Sequence, residues 1–439
     1  MTKVSTRGLF FFLLGLFFVC VLACMGGGNK IQAKVSSTKT RVPAKKVPSI
    51  KMDTYTLYVP PGPDRLPDVP INLMEKIRDG MKKVKHVRLN TDKCVPISSS
   101  QKGIKKCLGN YVIAATNAQG KIKLIEIYGG EPSAAGFSIA CERKGACESG
   151  VNPPFIILSP PGWTVVALRT VVLDRNKHDG AKPAVYIPYS SRLNTPQLRK
   201  IGLEYIRSAI LGAWYELRAK KIESLYIEDY LITDFGTPDH VVTLILTEQV
   251  LSDVGFVQGT EAEKLEMLNR ALVTLAVNGS ESFQYTISSV GAMGLGQGMA
   301  SSYQSTRGKY PKADLPEDDV EGRKNHHSTI KMMVCHTDAE WWAIESLKEV
   351  LLKDTWKRRL VFAAGYNASI GTVRKALDRC NNKNWRTCKQ LPSQTQRYLV
   401  KYEWIYKVLF DQVFRSRIRV TPVARDVTPL VARKTKTPM

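Results

Sequence analysis

Glu248 stands in TPDHVVTLILTEQVLSDVGF, residues 237–256, and its neighbours suit it for acid chemistry. Thr237 can cap a helix and Pro238 can take its first position. On that helix Val241, Leu244, Ile245 and Glu248 share one face at the i, i+3, i+4, i+7 spacing. A carboxyl in line with an apolar stripe loses solvation, which raises its pKa. It then keeps its proton near neutral pH and can donate it as a general acid. Glu281, in NGSESFQYTISS at 278–289, is the alternative acid. It follows Asn278-Gly279, a helix-ending pair, so a polar loop is expected around it.

A second stretch is chemically unusual. SSVGAMGLGQGMASSY, residues 288–303, holds four glycines together with Met293, Leu295 and Met299. A flexible Gly/Ser linker is polar throughout, and this is not. The glycines therefore imply positive φ or a backbone passing close to a neighbour or ligand. His326-His327 carries no metal reading: adjacent histidines point to different helix faces and no third ligand has suitable spacing. They read as polar helix residues, and no cofactor is implied.

The elements around these residues change character along the chain. Residues 53–175 hold short alternating runs such as GNYVIAATN, KIKLIEIYGG and WTVVALRTVVL between Gly/Pro turns, the pattern of a small β-rich region. From Thr195-Pro196 the pattern is helical, through QLRKIGLEYIRSAILGAWYELRAKK. Further helices are expected at 238–252, 262–277, 338–353, 358–364, 370–379 and 395–412. Residues 31–52 are basic and aperiodic, a tether, and residues 413–439 read as a basic solvated tail.

The amino terminus points to export. Lys3 and Arg7 precede LFFFLLGLFFVCVLAC, residues 9–24, a positive segment followed by an apolar run. Residues 1–30 are then a cleaved signal or an anchor, with residues 9–24 in the membrane or Cys24 as a lipidation point. The seven later cysteines agree. Cys94/Cys107, Cys141/Cys147 and Cys380/Cys388 are close in sequence and read as local disulfides, leaving Cys335 as a buried thiol. A net charge of +25 over 439 residues calls for an anionic partner. Export argues against nucleic acid and leaves anionic lipid headgroups or wall polymers, met by the tether and tail.

With these residues in view, the glycine segment resembles a known signature. Ser288, Gly291, Ala292, Gly294, Leu295, Gln297 and Met299 look like the S-x-x-G-A-x-G-L-x-Q-x-M motif of the soluble lytic murein transglycosylases. AAGYNASIGTVRKAL at 363–377 is similar to the family's A-x-Y-N-A-G-x-x-x-V segment, and LPSQTQRYLVKY at 391–402 to its P-x-E-T-x-x-Y segment. The three occur in the family's order across roughly residues 230–405.

The resemblance implies an α+β chain: a mainly helical, lysozyme-like catalytic domain over 190–412 behind the β-rich region. It implies a periplasmic or envelope enzyme that cuts the β-1,4 bond between N-acetylmuramic acid and N-acetylglucosamine and closes a 1,6-anhydro ring. It requires one catalytic Glu upstream of the glycines. Glu248 has the family's spacing from Pro238 and implies an insertion at 254–280, while Glu281 precedes Ser282 as the family's acid does but lies close to Gly291. By the same resemblance Ser288, Gln297 and Met299 line the glycan groove, Tyr366 and Asn367 form its opposite wall, and Tyr398 braces the acid. The sequence departs from the family at Gln394 (usually Glu), Ser369 (Gly), Ala300 (Pro) and Gly296 (a larger residue). These departures motivate the competing reading, a peptidoglycan-binding envelope protein without catalysis. A hydrolytic lysozyme is the third reading.

Overall fold

A computed structural model of the chain describes residues 72–95, 102–128, 131–132, 136–141, 151–174, 180–250, 253–380 and 384–417. The expected export segment, the tether, Cys147 and the tail from residue 418 lie outside these residues.

The region read as β-rich opens with a helix. α1 (Leu73–His86) buries Leu73, Ile77, Gly80 and Val84. Gly80 is needed there because a Cβ would sit 2.8 Å from the Val166 side chain on the sheet beneath. The strands are β1 (Tyr111–Thr116), β2 (Ile122–Tyr128), β3 (Glu131–Pro132), β4 (Ser138–Cys141), β5 (Phe155–Ser159), β6 (Thr164–Asp174) and β7 (Gly180–Tyr186). Five form an antiparallel sheet in the order β3-β2-β1-β6-β7, and β4 pairs with β5 separately. β1 is buried on both faces: Ala114 joins the cluster under α1, while Tyr111, Ile113 and Ala115 join Phe155 and Ile157 on the other side. That two-residue alternation is the pleat. The sheet runs on to Tyr186, past the boundary read at residue 175.

The helical part comprises α2 (Pro196–Ala219), α3 (Pro238–Gln249), α4 (Asp253–Gln258), α5 (Glu261–Asn278), α6 (Ala300–Lys309), α7 (Asp319–Lys324) and α8 (His326–Ala339). It continues with α9 (Lys348–Lys353), α10 (Thr355–Ala368), α11 (Ile370–Arg379), α12 (Ser393–Phe410) and α13 (Gln412–Arg417). The chain is thus a mixture of helix and sheet, predominantly helical. Thr195 caps α2, its hydroxyl accepting from Leu198 N at 3.0 Å. Thr260 and Glu263 form a capping box on α5.

The expected helix over 338–353 is interrupted. α8 ends at Ala339, and 3₁₀ turns at Glu340–Ala343 and Glu345–Leu347 precede α9. In the first turn Trp341 is packed edge-on against Phe235 and Phe362, while Trp342 faces solvent.

The segment expected to be an insertion, residues 254–280, contributes to both cores. α5 places Leu265, Leu268, Leu272 and Leu275 in the large helical core and Val273, Ala276 and Val277 in the cluster under α1. It also lies in backbone contact with α2, where a Cβ on Gly202 would fall 1.8 Å from Leu272 O. Disulfides join Cys94 to Cys107 and Cys380 to Cys388, and Cys335 is a buried free thiol.

Candidate active site

α3 carries the first candidate acid. From Asp239 to Thr247 every residue is buried, the polar Asp239, His240, Thr243 and Thr247 included, so burial extends around the whole helix beyond the expected apolar face. The helix tolerates this because Thr243 and Thr247 donate to Asp239 O and Thr243 O, each at 2.7 Å. Thr237 occupies the cap position without a capping hydrogen bond from its side chain. At the last turn Glu248 is half-buried as a residue, with its carboxyl enclosed. Burial pushes this carboxyl up to about 7, against the opposing pull of the Tyr398 hydrogen bond and the Lys401 charge.

Tyr398, on α12, donates its phenol to Glu248 Oε1 at 2.7 Å. Burial and the neighbouring Glu248 hold that phenol well above its ordinary pKa, so it remains a donor. One turn along α12, Lys401 pairs with Asp253 Oδ1 at 2.6 Å and donates to Val250 O at 2.9 Å. That fixes the backbone just past the acid. Gln249, the next residue on α3, donates to Gly294 O at 3.0 Å and Leu295 O at 2.7 Å, tying the acid's helix to the glycine segment. Sequence reasoning missed Lys401 and Gln249. Their signal was position: Lys401 is one turn from Tyr398, and Gln249 adjoins Glu248.

Three of the four glycines answer to protein neighbours rather than to a ligand. A Cβ on Gly294 would lie 2.0 Å from Arg323 O. On Gly296 it would lie 2.8 Å from both Thr329 Cγ2 and Met333 Sδ, and on Gly298 2.7 Å from Met332 Cε. Gly291 and Gly294 have φ of +89° and +74°. Arg323 clips the loop shut through Gly291 O at 3.1 Å and Gly298 O at 3.2 Å.

No protein-family model, no curated protein and no solved structure matches this chain. The site's chemistry therefore rests on its own geometry.

The other expected site residues are placed unequally. Tyr366 donates to Gly296 O at 2.5 Å and has Glu248 among the charges raising its pKa, so it belongs to the acid's surroundings. Asn367 follows it and accepts from Thr395 at 2.8 Å. Met299 is 38% exposed at the start of α6 and is free to meet a ligand. Ser288 is a turn residue, its Oγ accepting from Ala292 N at 3.0 Å. Gln297, at φ +48°, folds its side chain back, Nε2 donating to Gly294 O at 2.8 Å and Thr286 O at 3.3 Å. It braces the loop.

Glu281 is exposed in a 3₁₀ turn beside Gln284 and has no hydrogen bond to the Glu248 cluster. His326 is the first residue of α8, in keeping with its reading as a polar helix residue. It is buried, with Nδ1 at 2.8 Å from the Tyr205 phenol and Nε2 at 2.8 Å from Ser282 O. His327 is more open and pairs with Glu216. Among the described residues no group of three His, Cys, Asp or Glu side chains forms a metal cluster.

Glu340 is a second enclosed carboxyl. Burial holds it well above its ordinary pKa, and it lies 3.7 Å from His336, whose ring faces Tyr366 edge-on at 5.7 Å. Gly365 makes room for it, since a Cβ there would fall 2.6 Å from Glu340 Oε1.

Proposed function

We propose that this protein is a lytic transglycosylase of lysozyme-like fold acting on peptidoglycan, with Glu248 as its single catalytic acid. The observation that carries the reading is the enclosed Glu248 carboxyl, raised to about 7 and met by the Tyr398 phenol at 2.7 Å. The resemblance of the three sequence segments supplies the substrate class.

The mechanism follows from that carboxyl's two states. Protonated Glu248 gives its proton to the glycosidic oxygen as the bond to C1 breaks, releasing the next sugar as an alcohol. The muramyl C1 becomes electron-poor and Glu248 becomes a carboxylate. That carboxylate accepts the proton of the same sugar's C6 hydroxyl as its oxygen bonds to C1. The 1,6-anhydro ring closes, Glu248 regains its proton and no water is consumed. Tyr398 stabilises the intermediate carboxylate by its hydrogen bond and holds it in one orientation. Most glycosidases need a second carboxylate to activate water or attack C1. Intramolecular attack removes that need. Glu340, packed against Gly365, has no hydrogen bond to Glu248 and is given no reacting role.

The test is digestion of purified peptidoglycan with the full chain and mass analysis of released muropeptides, beside Glu248→Gln and Glu281→Gln. Anhydro products lost only in Glu248→Gln are expected. Loss only in Glu281→Gln would move the acid, and reducing-end products would indicate a hydrolase. Binding to sacculi without release would favour a non-catalytic wall-binding protein, the reading suggested by Gln394 at an exposed position where the family carries Glu.

A further inference from the structure

One face of β6 links three features at the same end of the sheet. Alternate residues of a strand share a face. Ala167 packs under α1, Arg169 Nη1 donates to Lys85 O near the end of that helix at 2.7 Å, and Val171 packs with Cys94 and Cys107. Leu173 continues this face and is 54% exposed. Its partner across the ladder, Ala181, packs against the disulfide cluster. The end of α1, the disulfide segment and Leu173 therefore lie in a row on one side of the sheet.

The disulfide segment is held as a platform. Cys94 is bonded to Cys107, the last residue of a 3₁₀ turn at Gly103–Cys107. Asn110 spans its two arms. Its Oδ1 accepts from Val95 N at 3.4 Å, and its Nδ2 donates to Val95 O at 3.1 Å and Lys106 O at 3.2 Å. Two aliphatic side chains stand out from the platform, Val95 at 51% and Ile104 at 38% exposed.

Cations flank them. Residues 82–107 hold eight Lys/Arg and one Asp, a net +7 of the +25 carried by the whole chain. Lys82, Lys83, Lys85, Arg88, Lys102 and Lys106 are all exposed, and none forms an ion pair with a described residue. Like charge at this density repels itself until an anionic surface meets it. The aliphatic side chains decide which surface. A soluble polyanion supplies charge but little apolar volume. An anionic bilayer supplies both: headgroup charge for the lysines and an acyl boundary for side chains that reach past them. The expected export segment at residues 9–24 precedes this unit and makes a bilayer its expected neighbour.

We propose that the end of α1, the Cys94–Cys107 segment and Leu173 dock this protein on an anionic lipid bilayer, with the lysines at the headgroups and Val95, Ile104 and Leu173 at the acyl boundary. The docking does not depend on the reaction assigned to Glu248.

The experiment presents the methyl-labelled full chain to nanodiscs of phosphatidylcholine with and without phosphatidylglycerol, each carrying a nitroxide lipid that broadens nearby methyl signals. Broadening of Val95, Ile104 and Leu173 that requires phosphatidylglycerol is expected, with the exposed Val290 of the glycine segment unaffected. This local readout separates the surface from anchoring elsewhere in the chain. Lys82→Gln/Lys85→Gln/Lys106→Gln should weaken the docking equilibrium about 100-fold, from about fivefold for each lysine. Arg433→Gln/Lys434→Gln/Lys436→Gln removes equal charge from the tail and should change it far less. Val95→Ser/Ile104→Ser should weaken it about tenfold. The substituted platform and α1 positions are exposed, so these variants should keep the parent Tm. Absence of phosphatidylglycerol-dependent broadening at the three side chains overturns the proposal, and so does an equal effect of the α1-platform and tail variants. A loss in the lysine variant with none in the serine variant also overturns it, because that behaviour belongs to a site for a soluble polyanion. Glu248→Gln should dock unchanged.

Discussion

At the residue scale, Glu248 links activity to stability with opposite signs. Its folded pKa of about 7 lies above its ordinary 4.5. Between those values the unfolded chain has released the proton while the folded chain retains it, so stability falls as pH rises through that window. The shift corresponds to a cost on the order of 3 kcal/mol above pH 7. Glu248→Gln should therefore abolish transglycosylation and raise stability by up to about that amount at pH 8, with little change at pH 4. Denaturant unfolding at the two pH values measures this, and a variant equally or less stable at pH 8 would contradict the enclosed-acid account. In catalysis the acid must be protonated at the start, so kcat/KM should decline as pH rises above about 7. Tyr398→Phe removes a hydrogen bond that favours the carboxylate. Its basic limb should move to higher pH while kcat drops about 10- to 100-fold. A pH–rate profile shifted the other way would exclude Tyr398 as the brace.

At the element scale, the glycine segment is a close-packed joint between α3, α7, α8 and α10. Gly294→Ala brings a side chain to 2.0 Å from Arg323 O at a φ of +74°. It should cost at least about 3 kcal/mol, the joint effect of strain and overpacking. Chemical denaturation of the variant tests this, and a loss below about 1 kcal/mol would mean the loop is not held as described. The sequence legibly encoded α2, α3, α5, α11 and α12, through Thr-Pro starts and apolar periodicity. α1 was hidden because one of its four buried positions is Gly80, so the apolar rhythm misses a beat. α6 was hidden because only Tyr303 and Thr306 face inward. Within the site, Glu248 was legible from its own helix. Its contact with Tyr398, 150 residues away, is tertiary and carries no local spacing signal; only the family resemblance joined them. The inward hydrogen bonds of Gln297 depend on a positive φ that a motif does not display.

At the scale of the whole molecule, α5 makes the sheet and the helical part interdependent. Its leucines belong to one hydrophobic cluster and its valines to another, so neither cluster closes without it. Unfolding should be a single cooperative event: calorimetry is expected to give one transition with equal calorimetric and van't Hoff enthalpies. Two separated transitions would mean that the clusters are energetically independent.

That shared helix also limits how such a chain can diversify. Domain shuffling trades units that close on themselves, and the unit formed by α1 and the sheet does not. Transplanting it without α5 would uncover Val273, Ala276 and Val277 on the donor and leave the transplanted cluster open. Recombination inside this molecule is thus penalised at its most inviting boundary, and the sheet and the acid-bearing helix are constrained to be inherited together.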